Sequence, residues 1–247
     1  MHATATQPST TVKLPGRRYD HWFFSITAWL MLGTVFLGFA HTYYLAGVFH
    51  APLPSLIIHV HGAVFSSWIL LLIAQTTLVS AGRTDIHRKL GIAGFCLACL
   101  MVILGTLAGA NALVRGFTPP GLDAKTFYIV QVTDMLIFAT LIFFAFRLRK
   151  NSPAHKRLIF IATTGLLLAA VARWPIPGIQ GNVIASMPVT YVFLVALAIY
   201  DFWSTRRVHR ATIWAGAFLI IVQQIRVPIG FTAPWHHFAD WVISVAS

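Results

Sequence analysis

The stretch LIIHVHGAVFSSWILLLIAQTTLV, residues 56 to 79, is an apolar run long enough to cross a bilayer, and it carries His59, His61 and Gln75. Facing hydrocarbon these polar groups would be expensive, so they are expected to look inward, toward a site or toward other helices. His61, Trp68 and Gln75 stand seven apart and share one helical face, whereas His59 lies about 200° around the axis from His61. His61 is therefore the stronger inward candidate.

Outward from this run the same composition repeats. Hydrophobic residues make up 57% of 247 and charged residues 10%, which sets the chain apart from soluble proteins and identifies a polytopic membrane protein. Apolar stretches near 22–45, 55–80, 90–114, 127–147, 157–174, 187–204 and 211–231 each approach the length of a spanning helix. The expected fold is an all-α bundle of seven transmembrane helices occupying 21–232, after a flexible tail at 1–20. The fifth span is short and ends at Trp174 and Pro175. Beyond the seventh, Trp235, Phe238, Trp241, Val242 and Val245 recur at helical spacing, predicting a short amphipathic interfacial helix over 233–247.

The formal charge of +12 would suit a nucleic-acid partner if the bases were spread over a soluble surface. They are not: 14 of the 18 Lys and Arg fall in the tail and in the loops after the second, fourth and sixth spans. That is the pattern of topology signals beside anionic lipid, so the partner is a bilayer, not nucleic acid. It predicts a bacterial inner-membrane protein with a cytoplasmic amino terminus and a periplasmic carboxyl terminus.

A weak repeat marks the same side, where His87, His155 and His209 each precede basic residues at the start of an outward-running helix. These histidines either form a metal or proton site or anchor helix ends at the interface, and anchoring is the simpler expectation. Gly105 and Gly109 form a GxxxG that allows close helix approach, within the bundle or between copies of a homo-oligomer. Cys96 and Cys99 are expected to be small packing residues on the third helix.

Threading the spans through the membrane brings distant polar residues to one depth, on the side away from the basic loops. His41, His59, His61, Asn111, Gln131, Asp134, Arg173, Gln223, Gln224 and Arg226 belong to this level, with no comparable set expected at the bilayer centre on the cytoplasmic side. Asp134, the one acid expected deep inside a span, is predicted to pair with Arg226 or Arg173.

Two classes of function fit this level. In the first, His61 with His41 or His59, walled by Trp68, Tyr43 and Tyr44, ligates a haem b. A transition metal held by His41, His59 and His61, with His50, His236 and His237 in reserve, belongs to the same class. In the second, a non-enzymatic protein binds or transports a small molecule or lipid in a pocket of Gln75, Gln131, Asp134, Arg173, Gln223 and Arg226. A structural membrane subunit is a third expectation. The lysines at 13, 89, 125, 150 and 156 all sit at ends or loops, which argues against a retinal Schiff base.

The residues His59-Val60-His61-Gly62, Trp68-Ile69-Leu70-Leu71, Gln75, His87-Arg88-Lys89-Leu90-Gly91 and His155-Lys156-Arg157-Leu158 resemble a group of bacterial seven-span membrane proteins. That resemblance implies the architecture and no mechanism. A looser likeness is to haem b membrane proteins of the cytochrome b561 kind, which place histidines near both ends of a helical bundle. The present chain departs from them in lacking two helices that each carry a widely separated histidine pair.

Overall fold

The computed structural model describes residues 19–52 and 55–246. The amino-terminal tail expected over 1–20 lies almost entirely outside the described residues. Helices α1 (Asp20–Phe39), α2 (Leu56–Ser80), α3 (Thr84–Val114) and α4 (Ala124–Arg147) come first in the chain. They are followed by α5 (Ser152–Leu166), the single turn α6 (Leu168–Val171), α7 (Val183–Thr205), α8 (Arg210–Gly230) and α9 (Ala233–Ala246). No strand occurs among the described residues.

Among the described residues seven spans are long and apolar enough to cross a membrane, with α1 continuing through a π turn at Ala40–Tyr44 and α5 and α6 forming one span. Large apolar side chains such as Trp29, Ile103, Val192, Ile199, Trp214 and Ile221 point outward, a surface suited to lipid rather than water. The α5–α6 span is the central one: 72% of its apolar window is buried, against 17% for α2. It is enclosed by α1, α4, α7 and α8.

Several helices begin earlier than their apolar runs suggest, because polar residues cap them. Asp123 accepts hydrogen bonds from the Lys125 and Thr126 amides at the head of α4. Asn151 and Asn182 accept from the Ala154 and Ala185 amides at the heads of α5 and α7. The His209 ring accepts from the Ala211 amide at the head of α8. Each cap satisfies an amide that has no partner inside the helix.

Small residues set the helix spacing. A Cβ on Gly38 would fall 2.2 Å from the Ala170 carbonyl oxygen, so α1 and α6 meet backbone to backbone. The GxxxG of α3 is used inside the bundle, with Gly105 against Met135 and Gly109 against Gln131 and Tyr128 of α4. Cys96 and Cys99 are free and exposed on α3, and Cys99 lines a shallow apolar groove with Phe95, Phe138 and Phe143.

Helix α9 packs on α3 and α4 through Ala239 and Val242, while Trp235 donates to the Lys125 carbonyl at 2.7 Å and Lys125 pairs with Asp240. Its other face exposes Phe238, Trp241 and Val245. The helix thus has two apolar sides, one on the bundle and one outward, where the periodicity predicts a single interfacial face.

Candidate functional site

At the end carrying the basic loops, two carboxylates tie the helices together. Asp201 near the end of α7 is fully buried; its Oδ1 accepts two hydrogen bonds from the Arg157 guanidinium of α5. Its Oδ2 accepts from the Thr212 hydroxyl of α8 at 2.6 Å and from the His209 amide at 3.1 Å. Arg157 spends a third nitrogen on the Pro153 carbonyl. Asp20 pairs with Lys156 at 2.6 Å and accepts from the Tyr200 hydroxyl at 2.6 Å, joining α1, α5 and α7.

This network is a second polar set, placed at the span ends rather than deep in the bilayer where the sequence puts Asp134. The signal in the sequence was an acid in the last turns of an apolar span, facing an Arg that opens another. Every oxygen of Asp201 is satisfied, which is how a structural ion pair stays in a low-dielectric interior.

Gln75 belongs to this end as well. With its amide oriented to satisfy its neighbours, it donates to the His87 ring and accepts from the Gly91 amide. The His87 ring stands 6.5 Å from that of His155, whose Nδ1 bonds the Ala145 carbonyl. Sharing a face with His61 therefore does not put Gln75 in the same pocket, since it lies four turns further along the helix. Trp68 between them donates to the Thr163 hydroxyl at 3.1 Å and packs edge-on against Phe138, a core role.

At the opposite end Arg226 of α8 is fully buried, and its Nη1 donates to Asp134 of α4 at 2.6 Å. The same nitrogen lies 3.4 Å from the Thr133 hydroxyl. Of the two predicted partners for Asp134, it is Arg226 that makes the pair. Arg173 instead donates to the Ala169 carbonyl and covers the Phe39 ring at 4.7 Å. It is exposed just beyond the end of the α5–α6 span.

The polar groups at this end are poorly satisfied. Nε and Nη2 of Arg226, both amide atoms of Gln223, Nδ1 of His61 and Oδ1 of Asn111 are buried with no hydrogen-bond partner among the described residues. Gln223 and Arg226 lie one turn apart on the buried face of α8. Gln224 turns away and donates to the Tyr191 hydroxyl at 3.3 Å. Pro228, within α8, withholds the amide that would have bonded the Gln224 carbonyl. Gln131 packs on Gly109, beside this level.

The three histidines diverge. His41 is exposed on the π turn and stacks on Phe49, the His59 ring lies against Tyr43, and the His61 ring lies 4.1 Å from Phe65. Among the described residues no three His, Cys, Asp or Glu side chains gather as metal ligands, so His41, His59 and His61 do not form the expected triad. The half-turn between His59 and His61 separates them. His50, His236 and His237 do not complete a set either; His236 instead meets the Thr126 hydroxyl at 3.3 Å.

The chain matches no protein-family model, no curated protein and no solved structure.

Proposed function

We propose that this chain is a membrane-embedded binding or transport protein for a small hydrogen-bonding ligand, either a soluble molecule or a lipid headgroup. The ligand sits between α4 and α8, against Arg226, Gln223 and Asp134. The observation that carries this reading is the unpartnered edge of Arg226 beside the unpartnered Gln223 amide, both buried. Leaving a charged donor and a whole amide unsatisfied in the interior is destabilising unless something else bonds them. The satisfied Asp201 network is the contrast within the same molecule. An inner-membrane setting with the basic loops in the cytoplasm belongs to the same proposal, supported by the distribution of Lys and Arg.

The test is native mass spectrometry of the protein released from mild detergent, compared with Gln223→Leu. A small adduct on the wild type that is absent from the variant supports the site. Identical spectra, with or without an adduct, overturn it.

A second reading keeps a redox centre, because the buried His61 Nδ1 has no hydrogen-bond partner among the described residues, with the ring beside the Leu104 backbone, and could serve as an axial or metal ligand. It expects an absorption band near the haem Soret region that shifts on dithionite reduction and is lost in His61→Ala. A featureless spectrum from haem-replete cells removes the haem form.

A further inference from the structure

Resting on the ligand site just described, we propose that its ligand is a carboxylic acid, taken up as a carboxylate together with one proton that resides on Asp134. The geometry of Arg226 selects the headgroup. Nη1 is spent on Asp134, which leaves Nε–H and Nη2–H. These two bonds point side by side along one edge of the planar guanidinium, the fork that accepts a carboxylate in bidentate fashion. One turn away, Gln223 offers a further donor and an acceptor.

Charge balance requires the proton. Arg226 and Asp134 already neutralise one another within the apolar spans, so a carboxylate on the free edge would leave a net negative charge there. Protonation of Asp134 restores neutrality, and the overall step is RCOO⁻ plus H⁺ bound, with no covalent bond to carbon made or broken. The groups facing Asp134 allow this assignment. Arg226 of α8 is its charged partner, and Tyr191 of α7, whose hydroxyl accepts from Gln224, lies within electrostatic range of both. Its neighbours Thr133 and Gln131 on α4, and Asn111 on α3, are uncharged. On α5 the ionisable groups His155, Lys156 and Arg157 engage Ala145, Asp20 and Asp201 at the far end. On α9, His236 and Asp240 engage Thr126 and Lys125 at the head of α4, and His61 of α2 has Arg173 as its charged neighbour.

The experiment is isothermal titration of the full chain in mild detergent with octanoate, acetate and octanamide between about pH 6 and pH 8, in two buffers of different ionisation enthalpy. The expected result is uptake of about one proton per octanoate and an apparent affinity that weakens about tenfold per pH unit, as one-proton linkage demands. Asp134→Asn, which imitates the protonated side chain, should bind octanoate with no pH dependence, and Arg226→Gln should not bind it. Octanoate without acetate assigns a membrane-derived acyl acid; both together assign a water-borne acid. Octanoate binding without proton uptake overturns the proposal. Binding of octanamide alone overturns the acid and leaves the ligand site standing, and no binding by any probe, with no adduct in native spectra, removes both. The wild-type proton count is decisive by itself should either variant fail to elute as a single species.

Discussion

Asp201 and Asp134 are both carboxylates embedded in apolar helices, and their neighbours give them different work. Asp201 accepts from Arg157, Thr212 and the His209 amide, so it closes three helices. Asp201→Asn is expected to lower stability by about 3–5 kcal/mol, because it strands the buried Arg157 charge. Denaturant unfolding in micelles measures this. His209 adds a pH dependence at the same corner. Burial and then the nearby Arg157 charge lower its pKa from 6.5, with Asp201 opposing. Above that value both the folded and unfolded imidazoles are neutral and the cap on Ala211 is intact. As the pH falls below about 6.5 the unfolded chain takes up the proton first, so stability declines. Thermal midpoints at pH 7.5 and 5.5 should differ in that direction, and His209→Asn, which keeps a capping acceptor, should flatten the difference.

Helix packing depends on where the glycines stand. Gly38 is pressed against the Ala170 backbone, whereas a Cβ on Gly33, five residues earlier on α1, would meet nothing within 4 Å. Gly38→Ala should therefore cost about 2 kcal/mol or more by forcing α1 away from α6. Gly33→Ala should be neutral or gain up to about 1 kcal/mol from helix propensity. Thermal unfolding of the two variants side by side tests the contrast. Caps act at the same scale: Asp123→Ala removes the acceptor of two amides at the head of α4 and should cost about 1 kcal/mol. Asp123 lies outside the spans. Burial raises its pKa, but hydrogen bonds from Thr126 and Lys125 and the His236 charge outweigh that and hold it below the ordinary carboxylate value.

For the molecule as a whole, the central position of α5–α6 explains why the chain keeps polar groups on it. A span that is mostly buried has little lipid-facing surface and can carry Arg157, Thr163 and Thr164 at little exposure. The GxxxG of α3 is consumed by α4, so Gly105→Leu should destabilise the bundle without changing its association state, as light scattering in detergent would show. The proposed placement of the basic loops in the cytoplasm predicts that a single cysteine at position 150 in a Cys-free background resists an impermeant thiol reagent in intact cells. One at position 180 should react. The reverse pattern inverts the proposed orientation and exposes the ligand site to the other compartment.

The sequence by itself determined the seven spans, and Arg226 as one of two partners for Asp134. These are legible because lipid forces apolar length and alternating threading on the chain, and because an intramembrane charge has few places to go. Only the tertiary structure decided that Gln75 serves His87, that Trp68 serves Thr163, and that the three upper histidines diverge. It also decided that Asp201, near the end of its span, is more fully bonded than Asp134. Depth along a helix follows from counting residues. Rotation about its axis, and so which polar group finds a partner and which is left to bind something else, is set by neighbouring helices whose packing periodicity alone does not encode.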